Sequence, residues 1–465
     1  METAMKGYAN WNYKPYIPAI RLDDEAGKPY ICRIAPGERH IEVEWIGECE
    51  GSAVYYAPLE GGDWMKLAVS SVKGDSVNIF VIKELEENAD YQFYVETVAG
   101  KTKTRLARTG FVPGTVVNYL HPLDEAYLFS GSYLCSPSIV LLPNGKLITS
   151  MDVYRSKFPQ NLTILCESLD GGETWHYLSE LFPCFWGKLF WHNDVLYMLS
   201  TSTEYGDLLI GRSDDEGKTW GLPTVLMRGS CSREENGFHK APVTLIHTAG
   251  RLWSAVEYGS WPKLEYKNTV LSIDENADLL KAENWEFTPF LKHDPNWPGC
   301  YDVRAGAIEG NAVESPDGKI VNMLRYGQEM ALQLVLDPEY PEGPLRFLRV
   351  AEFPMGHTKF EVQKIGDMYV AVGNRLPKRN ILSVYISKDL TDWQFAMDII
   401  NHEELDMNAV GFQYPVFTFD PKTETLLVLS RTAFNNAHNF HDSNYQTFHK
   451  IPLAAVLQKG SPAGE

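Results

Sequence analysis

The chain has 465 residues, 44% of them hydrophobic and 12% aromatic, and a formal net charge of −19. That acidity excludes nucleic acid as a partner, because phosphate binding needs a basic face, and no stretch approaches the ~20 apolar residues that span a bilayer. The length exceeds one ordinary core, so two domains are expected. Seven cysteines (Cys32, Cys49, Cys135, Cys166, Cys184, Cys231, Cys300) are scattered without a CxxC pair. An odd, unpaired set fits free thiols in a reducing compartment and argues against a cysteine-held zinc. The start, Met1-Glu2-Thr3-Ala4-Met5-Lys6, has no apolar signal region, and the expected location is cytoplasmic.

In chain order, residues 1–112 read as an N-terminal β-sandwich, with strands from about Arg21 to Val112. The expected strands are His40–Trp45, Ser52–Tyr56, Asn78–Ile82, Tyr91–Val98 and Lys103–Arg108. Tyr91-Gln92-Phe93-Tyr94-Val95 alternates in and out, and an early Trp45 with a late Tyr resembles a fibronectin type III sandwich.

Residues 113–465 read as a β-propeller. From Tyr133 onward a unit of roughly 50 residues recurs, each an apolar strand, a turn and a second apolar strand. The units pair Ser136–Leu142 with Lys146–Asp152, Gly187–His192 with Val195–Thr201, and Ala241–His247 with Arg251–Tyr258. They continue with Asn311–Ser315 and Lys319–Tyr326, Lys359–Lys364 and Asp367–Gly373, and Gln413–Phe419 and Thr425–Arg431. Six units are visible, and a seventh blade could come from the linker near Pro113–Ser130 joined to the tail Tyr445–Leu457. The fold class is therefore all-β, a sandwich followed by a six- or seven-bladed propeller.

Two segments mark the architecture. Ser168-Leu169-Asp170-Gly171-Gly172-Glu173-Thr174-Trp175 and Ser213-Asp214-Asp215-Glu216-Gly217-Lys218-Thr219-Trp220 both fit S-x-D-x-G-x-T-W. This is the Asp-box (BNR) pattern of sialidase-like propellers, a hairpin turn in which the Asp accepts backbone N–H bonds and the Trp packs on its own sheet. Such turns lie on the rim, away from chemistry.

The innermost strand of each blade lines the channel, so polar residues at its entry and at the exit of the second strand converge. That list holds His239, Lys240, Glu257, Tyr258, Glu309, Asn311, Arg325, His357, Lys359, Arg375, Gln413, Tyr414, Arg431, Asn435, His441 and Asp442. Cations gathered on one face of an acidic protein point to an anionic ligand, since arginine forks bind carboxylates bidentately. A sugar acid fits, with Tyr154, Trp186, Tyr258, Trp261 and Tyr326 as stacking walls.

The chain resembles bacterial sialidase-superfamily propellers that cleave uronate-containing polysaccharides, the ulvan lyase-like enzymes and those acting on rhamnose–glucuronate linkages by lyase or α-rhamnosidase chemistry. The resemblance spans roughly Tyr133 to Ile451. It rests on Ser136-Pro137-Ser138-Ile139-Val140-Leu141-Leu142-Pro143-Asn144-Gly145, on Phe238-His239-Lys240-Ala241-Pro242-Val243, and on Asn439-Phe440-His441-Asp442-Ser443-Asn444-Tyr445-Gln446-Thr447-Phe448-His449. It implies seven blades and cleavage of an acidic oligosaccharide by β-elimination or hydrolysis. Of cofactors it implies only a divalent metal, calcium or zinc, in some members' channel, where His357 or His441 would ligate with Asp442 or Asn435. One departure is Ser150-Met151-Asp152, where relatives carry Ser-His-Asp.

The expected roles follow. For elimination, His239 is base or acid, Tyr258 the second choice, and Arg325 and Arg375 clamp the substrate carboxylate. His357 and His441 are reserves. For hydrolysis, Glu257 or Glu309 acts as acid/base. Lys240, Asn311, Lys359, Gln413, Arg431, Asn435 and His441 bind substrate. Two alternatives remain: an exo-sialidase-type hydrolase, although Tyr16-Ile17-Pro18 lacks the Arg of the sialidase Arg-Ile-Pro motif, and a non-catalytic glycan-binding propeller.

Overall fold

The computed structural model describes Tyr16 and residues 27–69, 77–232, 234–303, 306–375 and 377–459. Ile17-Pro18 and the expected strand start near Arg21 lie outside these residues. No helix among them is long and apolar enough to cross a membrane.

The N-terminal part holds two antiparallel sheets. One orders Tyr30–Pro36, Ile41–Ile46 and Asn78–Ile82; the other orders Met65–Ala68, Ala53–Pro58 and Asp90–Thr97, with Gly100–Lys101 and Arg105–Arg108 pairing the last of these. Asp90–Thr97 alternates strictly between buried and half-buried residues, as a strand with one covered face must. Trp45, Val54, Ile82, Leu85, Tyr91, Phe93 and Val95 fill the space between the sheets. Two strands, Tyr30–Pro36 and Met65–Ala68, had no clear sequence signal.

Six antiparallel blades follow among the described residues, five of four strands and the third of six. Their innermost strands are Tyr133–Leu141, Phe185–His192, Gly237–His239, Ile308–Glu314, Glu361–Ile365 and Gly411–Asp420. The sixth blade decides between six and seven. Its outermost strand is Thr115–Tyr119, hydrogen-bonded to Tyr445–Pro452. The two segments that might have built a seventh blade instead complete the sixth, so the ring closes by joining early and late chain and leaves no long edge.

Both S-x-D-x-G-x-T-W segments form closed turns. Asp170 accepts from the Glu173 and Thr174 N–H groups at 3.0 Å each and from the Thr174 hydroxyl at 2.5 Å. Asp215 accepts from the Thr219 N–H at 2.8 Å and its hydroxyl at 2.6 Å. Gly172 and Gly217 take φ of 92° and 91°, and Trp175 and Trp220 are buried. Asp215→Ala is expected to lower stability by about 1–2 kcal/mol and to leave any turnover unchanged, readable by thermal denaturation beside an activity assay.

The sandwich is fastened to the propeller by buried charge. Arg33, 3% exposed, donates to the Val117 carbonyl at 2.7 Å, to Glu42 at 2.5 Å and to Glu44 at 2.7 Å. Glu44, fully buried, also meets His176 Nδ1 at 2.8 Å and accepts from the Tyr177 N–H at 2.7 Å in blade 1. Tyr30 and Cys32 share one apolar cluster with Trp175 and Phe448.

Candidate functional site

Four of the six innermost strands carry the same irregularity. Their pairing with the second strand slips between Cys135 and Ser138, Phe185 and Lys188, Ile308 and Asn311, and Gln413 and Val416. Inside each slip one non-glycine residue has a left-handed backbone: Ser136 at φ 47°, Trp186 at 51°, Glu309 at 55° and Tyr414 at 49°. Each bulge costs on the order of 1–3 kcal/mol and re-aims one side chain. All four side chains line one cavity of about 130 Å³. Strain repeated in blade after blade and converging on one space is the mark of a built site.

The other walls are Cys135 and Tyr154 of blade 1, Glu204 of blade 2, His239, Lys240, Ala241, Pro242 and Trp261 of blade 3, and Arg431 and His441 of blade 6. Three guanidinium groups from successive blades close on Tyr414. Arg325, on the second strand of blade 4, donates to Glu309 at 2.9 Å and reaches the Tyr414 hydroxyl. Arg379 stands 5.6 Å and Arg431 5.3 Å from the Tyr414 ring centre. Gln413 accepts from Arg379 and donates to the Phe440 carbonyl, while Arg431 donates to the His441 carbonyl. Among the described residues neither Arg379 nor Arg431 pairs with a carboxylate, and Arg431 Nε has no acceptor. Burial pushes the Arg379 pKa down, and Arg325 and Arg431 add to this against the opposing pull of Tyr414 and Glu309.

Across the cavity, His239 Nδ1 lies 3.0 Å from Glu257 Oε2, and Glu257 Oε1 accepts from the Gly310 N–H at 2.9 Å. The carboxylate thus fixes the imidazole, which sits edge-on to Trp186 at 4.6 Å and to Tyr266 at 5.1 Å. Burial raises the Glu309 carboxyl, but Arg325 and His239 outweigh it, and the net value lies below the ordinary one. Burial pushes Asp152 up to about 7; it accepts from the Thr163 hydroxyl at 2.5 Å and the Trp186 N–H at 2.7 Å. Burial and Arg431 take His441 down to about 4. Burial and Lys188 take Lys240 down to about 7.

The Lys240 value has a testable consequence. A lysine whose folded pKa falls from 10.5 to about 7 destabilises the fold fully below pH 7, and the cost fades as pH rises toward 10.5. Lys240→Met should therefore raise Tm at pH 6–7, with a gain that shrinks toward pH 10.

Of the residues singled out in the sequence, His239, Lys240, Arg431 and His441 line the cavity, Arg325 reaches it through Tyr414, and Glu257 and Gln413 stand behind it as supports. Others are placed elsewhere. Tyr258 follows Glu257 on a strand, so it faces the opposite side, against Phe238 at 5.2 Å and Phe290 at 5.6 Å. Arg375 is held away by the two hydrogen bonds it donates to Asp398, at 2.9 Å each. Asn435 donates to the Thr109 carbonyl at 3.0 Å and accepts from Arg108 at 3.1 Å, joining blade to sandwich. Asn311 accepts from the Val362 N–H at 3.1 Å, and Lys359 donates to the Pro415 carbonyl, so both tie neighbouring blades together. His357 lies 3.9 Å from Glu329, outside the cavity.

Among the described residues no three His, Cys, Asp or Glu side chains group as metal ligands. Of the expected alternatives, His441 and Asp442 adjoin at 3.1 Å, whereas His357 and Asn435 point to separate partners, so the ligands that come together number two. These residues do not fit a metal ion.

No family description and no curated protein matches the sequence. Among solved structures, the Hadza microbial sialidase Hz136 superposes with a TM-score of 0.50 at 10% identity, covering 97% of this chain and 95% of that one. An α-L-arabinanase of Penicillium chrysogenum complexed with arabinobiose gives 0.49 at 14% identity over 74% and 98%. The intramolecular trans-sialidase from Ruminococcus gnavus gives 0.48 at 14% over 72% and 97%. The fold is a sialidase-type β-propeller. At such identity the likeness reaches no further than the fold.

Sequence reasoning missed Arg379, Glu204, Cys135 and Ser136, and gave Tyr414 no role. A signal was present: Ser136, Trp186, Glu309 and Tyr414 each precede Pro or Gly within an innermost strand, the sequence mark of a bulge.

Proposed function

We propose that the cavity cleaves the glycosidic bond of a terminal sugar acid, by hydrolysis with Tyr414 as nucleophile. The observation that carries this reading is the triple guanidinium clamp around one tyrosine. Arg379 and Arg431 hold the substrate carboxylate. A carboxylate nucleophile would be repelled by that negative charge, whereas a phenol is not, which is why sialidases depart from the paired-carboxylate scheme. Glu309, on the same Arg325 guanidinium as Tyr414, receives the phenol proton. His239, oriented by Glu257, gives its proton to the leaving oxygen as the glycosidic bond breaks and the Tyr414–carbon bond forms. Water then attacks the anomeric carbon and returns its proton to His239. Tyr414 leaves, takes back its proton from Glu309, and the free sugar acid is released.

The full-length fold match to a protein described as a sialidase agrees with the exo-sialidase-type alternative. A second reading keeps the uronate lyase or rhamnose–glucuronate enzyme, favoured by the His239 imidazole that lines the cavity with Glu257 behind it. There His239 or Tyr414 would take the proton α to the carboxylate. The division into a fibronectin type III-like unit (1–112) and a catalytic propeller (113–465) belongs to the same proposal.

The clamp is tested with a sugar-acid glycoside and its methyl ester. Arg379→Ala and Arg431→Ala should each lower kcat/KM for the acid by about 2 kcal/mol, roughly 30-fold, and leave the ester nearly unaffected. Equal losses on both substrates would remove the clamp from the account. His239→Ala should cost about 10²–10³ in kcat, and turnover like that of the wild type would sink its assignment.

A further inference from the structure

We propose that the groove between blades 1 and 2 is the subsite for a neutral sugar on the leaving-group side; the inference rests on the glycosidase reading and deepens it. A second depression, of about 420 Å³, opens beside the catalytic cavity and shares Glu204 with it. Glu204 thus forms a wall common to both spaces. The carboxylate clamp, Arg379 and Arg431, sits in blades 5 and 6, and the groove lies in the next two blades round the ring.

The lining has the chemistry of a pyranose site. Phe158, Pro159 and Pro183 give apolar faces for the C–H side of a sugar ring, and the Arg155 guanidinium packs 4.6 Å from the Phe158 ring centre and steadies it. Hydroxyl partners are present at Lys157 and Asn161. Asn161 Oδ1 is buried and makes no hydrogen bond. Thr203 is already committed to the Pro159 carbonyl, and Glu204 accepts from Gln160 at 3.0 Å, so the walls are braced. Lys157 and Glu204 cancel in charge. The groove therefore suits a neutral hexose, and its volume takes two rings.

The test uses two substrates carrying the same sugar acid, one linked to lactose and one to 4-methylumbelliferone. The double variant Lys157→Ala/Asn161→Ala should raise KM for the lactose conjugate at least tenfold and change the aryl glycoside less than twofold. Equal changes on both substrates, or none on either, overturn the subsite. Lactose alone, followed by saturation-transfer NMR, separates the subsite from the chemistry. Signals should appear with the wild type and with His239→Ala, and vanish with the double variant at unchanged Tm. Lactose that fails to bind the wild type overturns the subsite; lactose that binds an enzyme inert toward every sugar acid supports the subsite and overturns the reading of function.

Discussion

Tyr414→Phe lowers kcat/KM for a sugar-acid glycoside by about 10³-fold, with Tm shifted by no more than a degree or two. The substitution removes one oxygen and keeps the ring against which Arg379 and Arg431 lie at 5.6 and 5.3 Å. Pro415 and the bulge remain, so the strained φ of 49° at position 414 is unchanged. The loss should fall on kcat far more than on KM, because the arginines still hold the carboxylate while the attacking atom is gone. Steady-state kinetics on the purified variant checks this. Near-normal kcat would mean that Tyr414 only furnishes the pocket, and His239 would then have to carry the chemistry with water.

Glu44→Ala destabilises the protein by about 3–5 kcal/mol, because removing one partner of a buried pair strands the other charge. Arg33 would be left 3% exposed with only Glu42, itself 28% exposed. The Tyr177 N–H and His176 would lose their acceptor as well. Burial alone would raise the Glu44 carboxyl; Arg33, His176 and the Tyr177 N–H more than reverse that, and the folded value lies below the ordinary 4.5. The contribution is therefore present in full above pH 4.5 and is lost as the pH falls through the folded value. His176 shows the opposite sign. Its hydrogen bond to Glu44 raises its pKa, so its share is complete below 6.5 and disappears as the pH climbs through the folded value. Denaturant melts between pH 3 and 9 should show both limbs in the wild type and neither in Glu44→Ala.

Much of the architecture was legible because it repeats. Strand–turn–strand units and the two S-x-D-x-G-x-T-W turns are local, so their residues announce them without knowledge of the rest. What closes the ring was not local: Thr115–Tyr119 is an ordinary apolar stretch until Tyr445–Pro452 is found beside it. The site divides the same way. His239, Arg431 and His441 could be named because strand entries and exits converge in any propeller. Which neighbours face the channel depends on bulges that shift the alternation by one residue, and a one-residue shift turns a side chain to the other face. Where the register is regular the alternation holds: Glu257 and Tyr258 are adjacent in sequence, and one backs His239 while the other packs into the blade. Arg375 and Arg379 are four residues apart, yet Asp398 captures the first and leaves the second for the cavity.

The most direct measurement is product analysis after incubation with a panel of sialylated and uronate-terminated oligosaccharides, by mass spectrometry and absorbance near 235 nm. Products that together gain one water, with a free sugar acid and no rise in absorbance, are the predicted result. A rise at 235 nm with products of unchanged total mass would contradict the nucleophilic role of Tyr414 and establish elimination instead. Acidic oligosaccharides bound but returned intact would contradict catalysis altogether.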